Sequence, residues 1–399
     1  MNNKKNIIFI VSFALFLTCS LQAAKPKQFF LPGIRPLGMG GAFLALSDDQ
    51  NAMFYNPAGI TQRLKPLLCF ADTTLQTNQT GYELGSYIID LYLNGTAGLD
   101  PAELLAYFTD QLEANNYYMR YNIYALSPLN LSLIAPPMGY LSVGLGAYVS
   151  AINADFEMQL TGLLPDVGLS ASADSGIIIP IAYDLGEKFS IGVNIKGINR
   201  NNIDVDMSLQ DLLDMDLPQA MVGFGYGFDT GILMHLGEQL SLGATVKDIG
   251  FTKINYTKAI ELDPASPGGY NITDLPATVV ERIEPTLNVG FAYLFTNEQL
   301  PMGDNILLVF QYDDLTGRME EVGHGEIVFR PKNIHLGIEL SYEIVSFRVG
   351  LNQGYGTLGL GVYLGPISVD YAFYGQELGL NAGDIAQWNH IVSLAVRLR

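Results

Sequence analysis

KFSIGVNIK, residues 188–196, carries apolar side chains at every second position. Phe189, Ile191, Val193 and Ile195 share one face; Lys188, Ser190, Gly192, Asn194 and Lys196 share the other. A period of two marks a β-strand with one apolar and one polar side. The same split recurs over 141–150, 240–247, 287–295, 334–341, 345–352, 358–364, 367–374 and 388–399, and in weaker form over 67–74, 117–126, 176–184, 221–229 and 305–312. Short polar or glycine-bearing turns separate many of these runs, as at Gly237-Glu238 and Gly365-Pro366, which suits consecutive antiparallel hairpins.

Two architectures share such a pattern: a soluble sandwich that buries the apolar face, and a membrane barrel that turns it to lipid. The polar faces here are Gly, Ser, Asn and Tyr rather than the Lys and Glu of a water-exposed sheet. Aromatic residues recur near strand ends, as at Tyr140, Tyr293, Tyr363, Tyr371 and Tyr374. Both features belong to a transmembrane barrel with a lumen and aromatic girdles. The expectation is an all-β fold: a transmembrane antiparallel β-barrel of about fourteen strands, an even number being the bacterial rule. Residues 388–399 supply a last strand that closes it, because an open edge in lipid leaves backbone groups unsatisfied.

The first residues read as an export signal. Lys4 and Lys5 precede an apolar run from Asn6 to Thr18, and small residues follow at Ser20, Ala23 and Ala24. That run is shorter than the ~20 residues of a membrane helix, so a cleaved signal over 1–24 is expected, with lipidation at Cys19 as the alternative. Cys69 is the only other cysteine, which leaves no pair for a disulfide after cleavage. A net charge of −19 argues against a nucleic-acid partner. Longer interruptions near 89–116, 155–175, 199–219 and 252–282 read as loops, the first holding a helical spacing of Leu104, Leu105, Phe108 and Leu112.

Enzyme signatures are missing. His235, His324, His335 and His390 are scattered, with no zinc spacing, nucleophile elbow or phosphate loop, so no catalytic residue, metal or cofactor is expected. Ser341 and His335 share a strand face, but six residues of strand hold them ~20 Å apart. His335, Glu339 and Arg348 are candidates for facing the lumen. Gly223-Phe-Gly-Tyr-Gly227 suits a crowded lumen wall.

One stretch breaks the alternation. RPLGMGGAFLALSDDQNAMFYNPAGI, residues 35–60, is too rich in glycine and turns to be a strand. Leu37-Gly-Met-Gly-Gly-Ala-Phe43, Ser47-Asp-Asp49 and Tyr55-Asn-Pro-Ala-Gly59 resemble the N-terminal region of FadL-type outer-membrane transport proteins, including the related PorV-like and UPF0164-like groups. Residues 348–355 and 369–374 are similar to the same families. The resemblance implies a bacterial outer-membrane barrel over 66–399 with an N-terminal hatch over 25–65 folded into its lumen. It also implies passive uptake of hydrophobic compounds such as long-chain fatty acids. PorV-like members imply the alternative, a scaffold that docks a protein partner in export or surface attachment without transporting a solute. The partners expected are outer-membrane lipid, hydrophobic small molecules and the barrel-assembly machinery, though the chain ends in Arg399 rather than an aromatic residue. Within the hatch, Gly38, Gly40, Gly41 and Gly59 are expected to allow close packing on the wall. Asp48 and Asp49 are expected to meet lumen donors, and Asn56-Pro57 to turn into the first strand.

Overall fold

The computed structural model describes residues 33–62, 66–83, 86–87, 106–107, 109–110, 118–126, 131–134, 140–159, 166–186, 188–208, 219–262, 270–296, 305–316, 330–378, 382–384 and 386–398. The segment 33–62 holds two short helices, α1 (Ile34–Gly38) and α2 (Ala52–Tyr55), and a 3-10 turn over Pro57–Gln62. Strands follow: β1 (Leu67–Asn78), β2 (Tyr118–Leu126), β3 (Leu131–Ile134), β4 (Leu141–Gln159), β5 (Asp166–Asp184) and β6 (Phe189–Ser208). Next come β7 (Ala220–Leu236), β8 (Leu240–Lys247), β9 (Thr252–Leu262), β10 (Tyr270–Ile283), β11 (Thr286–Thr296) and β12 (Asn305–Tyr312). The chain continues through β13 (Ile334–Tyr342), β14 (Val345–Asn352), β15 (Tyr355–Leu364), β16 (Ile367–Glu377) and β17 (Ala386–Leu398).

These seventeen segments form one sheet, and their pairing makes it a ring. β2 and β3 both pair with β4 on one side and β1 on the other, in line, so they are two parts of one stave. β8 and β9 likewise share the edge of β7, and β11 and β10 pair with them in turn. Each remaining strand pairs with its sequence neighbours, and β17 pairs with β1 from Leu398↔Leu68 to Asn389↔Asn78. Among the described residues, three pairs of collinear segments therefore reduce seventeen strands to fourteen staves, all antiparallel, with the last closed on the first. Closure is what lipid demands, since it leaves no row of unpaired backbone groups at membrane depth.

The burial pattern is that of a membrane barrel. On β6, Ile191, Val193 and Ile195 are 40%, 45% and 42% exposed, whereas Asn194 and Lys196 are 1% and 3% exposed. The same reversal holds on β14, where Phe347 and Val349 face outward and Ser346 and Arg348 inward, and on β17, where Val392 and Leu394 face outward and Asn389 and Ser393 inward. A row of outward aliphatic side chains is stable only against lipid. No helix among the described residues is long and apolar enough to cross a membrane; the crossing is made by strands.

Stave length is uneven. β12 to β16 have 8 to 11 residues, close to the ~9–11 needed to span a bilayer. β4, β5 and β6 have 19, 19 and 20, so one side of the barrel rises well beyond the membrane. This corrects the expected loops. Much of 155–175, 199–219 and 252–282 is strand, because polar residues paired across a hairpin satisfy the backbone in water as well as in lipid. Of the loop expected at 89–116 only 106–107 and 109–110 are described, as helix; its four apolar helix positions fall outside the described residues, as do the signal segment 1–24 and Cys19. The tight turns at 237–239, 343–344 and 365–366 gather at the end where β1 begins and β17 finishes, while the one at 353–354 lies at the other end. Short turns mark the periplasmic rim and long arms the outer one.

Candidate functional site

The segment 33–62 sits inside the ring. After α1 the chain turns through Gly40 and Gly41 at φ +68° and +87°, a left-handed conformation that glycine adopts without strain. A Cβ on Gly40 would lie 2.3 Å from the Leu351 carbonyl oxygen and 2.4 Å from that of Leu336, so this position also needs the missing side chain for contact. Gly38 lies against Gly359 of β15, backbone to backbone. Gly59 packs within the segment, where a Cβ would meet the Ser47 carbonyl oxygen at 2.2 Å.

The wall is shaped to receive this backbone. Added Cβ atoms on Gly337 and Gly350 would come within 2.4 and 2.5 Å of Met39 and Gly40, and on Gly192 within 2.4 Å of Ala58. Gly231 faces Asn56 and Gly243 faces Leu44 with Ala45 in the same way. These glycines stand at inward positions on five staves, so the hatch is seated round the circumference.

Polar side chains then fasten it. The Gln311 Oε1 accepts the backbone N–H groups of Phe43 and Leu44 at 3.0 and 2.9 Å. Thr357 Oγ1 takes the Gly40 N–H and donates to the Gly38 carbonyl. His335 Nδ1 donates to the Gly40 carbonyl at 2.7 Å, while its Nε2 lies 3.4 Å from Asp313. Asn194 donates to the Met53 carbonyl at 2.8 Å. The amide of Asn56 donates to Leu44 O within the hatch and to Ile232 O on the wall, at 3.1 and 3.0 Å.

A chain of ion pairs crosses from hatch to wall. Arg35 binds Asp48 at 2.6 Å, Asp49 at 3.1 Å and Glu339 at 2.8 Å. Glu339 is also bound by Arg348, directly opposite on β14, at 2.7 Å, and Arg348 continues to Asp370 at 2.9 Å and to the Tyr363 hydroxyl. Arg397 joins Asp370 to Asp72. Across the lumen, Lys196 lies 2.7 Å from both Asp229 and Asp248, and Arg200 holds Asp174 and Glu281 at 2.8 Å. Such buried pairs fix geometry more surely than they add stability, because desolvation offsets much of their attraction.

Between these networks lies an apolar patch. Met53 of the hatch packs with Tyr148, Ile178, Ile198, Ile254, Tyr256 and Ile283, all at inward positions, with Phe54, Met221 and Leu275 beside them. Gly223, Gly225 and Gly227 make room for Tyr256, Ile254 and Thr252, as expected of a crowded wall. A water-filled porin lumen is polar; this one is oily directly beside its hatch.

Known structures share the fold. The toluene transporter TbuX of Ralstonia pickettii aligns at 14% identity over 92% of this chain and 98% of its own, with a TM-score of 0.53. The toluene transporter TodX of Pseudomonas putida aligns at 12% identity over 95% and 99%, with a TM-score of 0.52. A FadL homologue of Pseudomonas aeruginosa gives 11% identity over 93% and 99%, with a TM-score of 0.50. The fold is that of the FadL-type outer-membrane proteins. Identity this low shows the fold alone. No protein-family model matches the chain, and no curated protein matches it in sequence.

In this FadL-type barrel, His335, Glu339 and Arg348 all face the lumen, and the last two are partners. Two hatch expectations need correction. The cation that Asp48 and Asp49 meet is Arg35 of the hatch itself, because the turns at 39–47 fold the two ends of this segment together. Asn56-Pro57 makes a turn, but into the 3-10 turn, with β1 beginning only at Leu67. It ends α2, opens the 3-10 turn and pins both to the wall, since its amide reaches two carbonyls at once. Sequence reading missed Arg35, Asp72, Gln311, Asp370 and Arg397. The last four stand at inward positions of their strands; that parity was the available signal. Ser341 and His335 are engaged apart, the former with Ser346 at 2.9 Å.

Proposed function

We propose that this barrel is a passive uptake channel for hydrophobic compounds in the bacterial outer membrane. The observation that carries the reading is the apolar patch around Met53, Ile198 and Ile254, placed inside a lumen and against the hatch. Met53, Ile198 and Ile254 are 1%, 0% and 0% exposed, closed over one another away from lipid, so a hydrophobic solute that displaces Met53 gains burial worth about 25 cal/mol per Å². In this reading Gly38, Gly40, Gly41 and Gly59 let the hatch seat closely, and the Arg35 cluster with Asp48, Asp49 and Glu339 holds it across the path. Asn56, Pro57, His335 and Arg348 fix its ends. TbuX and TodX, which share the fold, are toluene transporters; the sequence resemblance implies long-chain fatty acids. Both solute classes therefore belong in the test.

Cells with and without the gene are given radiolabelled toluene and, separately, a labelled long-chain fatty acid. Faster entry of at least one of them in the producing cells is expected. Equal entry of both contradicts the channel and favours the scaffold that docks a protein partner.

A further inference from the structure

Among the described side chains, the outer face of the barrel carries almost no charge. Among the described side chains, the outward positions of the staves hold Asp, Glu, Lys or Arg only on β9, β10 and the joint after β10. There, Lys253 of β9 stands directly opposite Arg282 of β10. Both are exposed, and their chain neighbours Ile254 and Ile283 are buried in the lumen, so both cations project outward. Two like charges facing each other across a strand pair are destabilising. Here neither makes an ion pair with a described residue. Glu284, two residues after Arg282, is the nearest outward carboxylate in sequence and pairs with neither. Higher on the same hairpin, Lys258 is matched by Asp274; the Lys253–Arg282 pair has no such match.

Its height on the wall is specific. Lys253 also lies opposite Tyr226, which is 60% exposed. Towards the short turns come exposed Phe228, Ile249 and Phe251; towards the arms come Asn255 and exposed Phe224 and Val280, and beyond them the charged Lys258–Asp274 pair. On β6 the outward row changes at the same level, from Ile191, Val193 and Ile195 to Asn199 and Asn201. The cation pair thus sits one outward level below the upper edge of the apolar belt, on the side of the long arms, within reach of the headgroups of the outer leaflet.

We infer that Lys253 and Arg282, with Tyr226, form a docking site on the outer wall for the phosphate of an anionic outer-leaflet lipid. The belt directly beneath receives its acyl chains. A phosphate presents several acceptor oxygens, which the guanidinium of Arg282 and the ammonium of Lys253 meet with charge-assisted hydrogen bonds. The occupant is a lipid rather than free phosphate because half of the site is the apolar belt. This assignment stands whether or not the lumen conducts a solute.

The test uses the full-length barrel in detergent micelles, with bisphosphorylated lipid A and the same lipid stripped of its phosphates as probes, bound lipid being counted by native mass spectrometry. The wild type is expected to retain the phosphorylated lipid more tightly than the stripped one, and each cation removed is expected to weaken it about fivefold. Lys253→Gln with Arg282→Gln should therefore lower retention by about thirtyfold, while the stripped lipid binds variant and wild type alike. Glu284→Gln, which keeps both cations, should bind at least as tightly as the wild type. Millimolar inorganic phosphate should not displace the lipid. Heat-modifiable migration checks that every variant is folded; if the double variant does not fold, Arg282→Gln alone carries the comparison. Equal retention of the two lipids by the wild type, or unchanged retention by the folded variant, overturns the site.

Discussion

Arg35 is the residue through which the hatch holds together and holds to the wall. It binds two carboxylates of its own segment and one of β13, and it lies 5.4 Å over the Phe43 ring. Removing one member of a buried ion network leaves the others uncompensated, at a cost of roughly 3–5 kcal/mol. Arg35→Ala should therefore free the first half of the hatch while leaving the ring of staves intact. Hydrogen exchange of amides 33–46 is expected to rise sharply, with exchange in β13 to β17 unchanged; no change at 33–46 would mean the network holds nothing. Gly40 makes the steric counterpart. Gly40→Val places a branched side chain at φ +68° and into two wall carbonyls, with backbone strain alone of order 1–3 kcal/mol. Limited proteolysis of the folded barrel should then cut within 33–62, where the wild type resists.

At the scale of elements, the alternating period carried most of the barrel. Every run with strict alternation lies on a strand, and parity alone placed His335, Glu339 and Arg348 in the lumen. β3, β9 and β10 were not legible. β3 has only four residues, and β9 and β10 carry charge or polar residues on both faces where they rise out of lipid. Their pairing comes from the neighbouring stave, not from their own period. The ion network was illegible for a related reason: Arg397 meets Asp72 because β17 closes on β1, and register across a seam cannot be read from either strand. That seam gives a prediction. A chain lacking 386–398 exposes the edges of β1 and β16, which lipid cannot satisfy. It should reach the membrane fraction without heat-modifiable migration and be digested by added protease; a protease-resistant, heat-modifiable barrel from the shortened chain would contradict closure through β17.

For the whole molecule read as a channel, charge and oiliness together set what would pass. The buried cations Arg35, Lys196, Arg200, Arg348 and Arg397 are each held by two or more carboxylates. An anionic solute meets guanidinium groups already occupied, in a chain of net charge −19. A neutral alcohol should therefore enter producing cells several-fold faster than the carboxylate of equal chain length at neutral pH, and the gap should narrow as acid protonates the carboxylate; faster entry of the anion would mean one of these pairs opens to receive it. The central claim is that a hydrophobic solute rests inside the ring beside the hatch. Crystals of the full-length barrel grown with bromobenzene test it directly through the anomalous signal of bromine. A peak is expected in the lumen among Met53, Ile178, Ile198 and Ile254. Bromine found only on the outer belt, beside Ile191 and Val193, would contradict it.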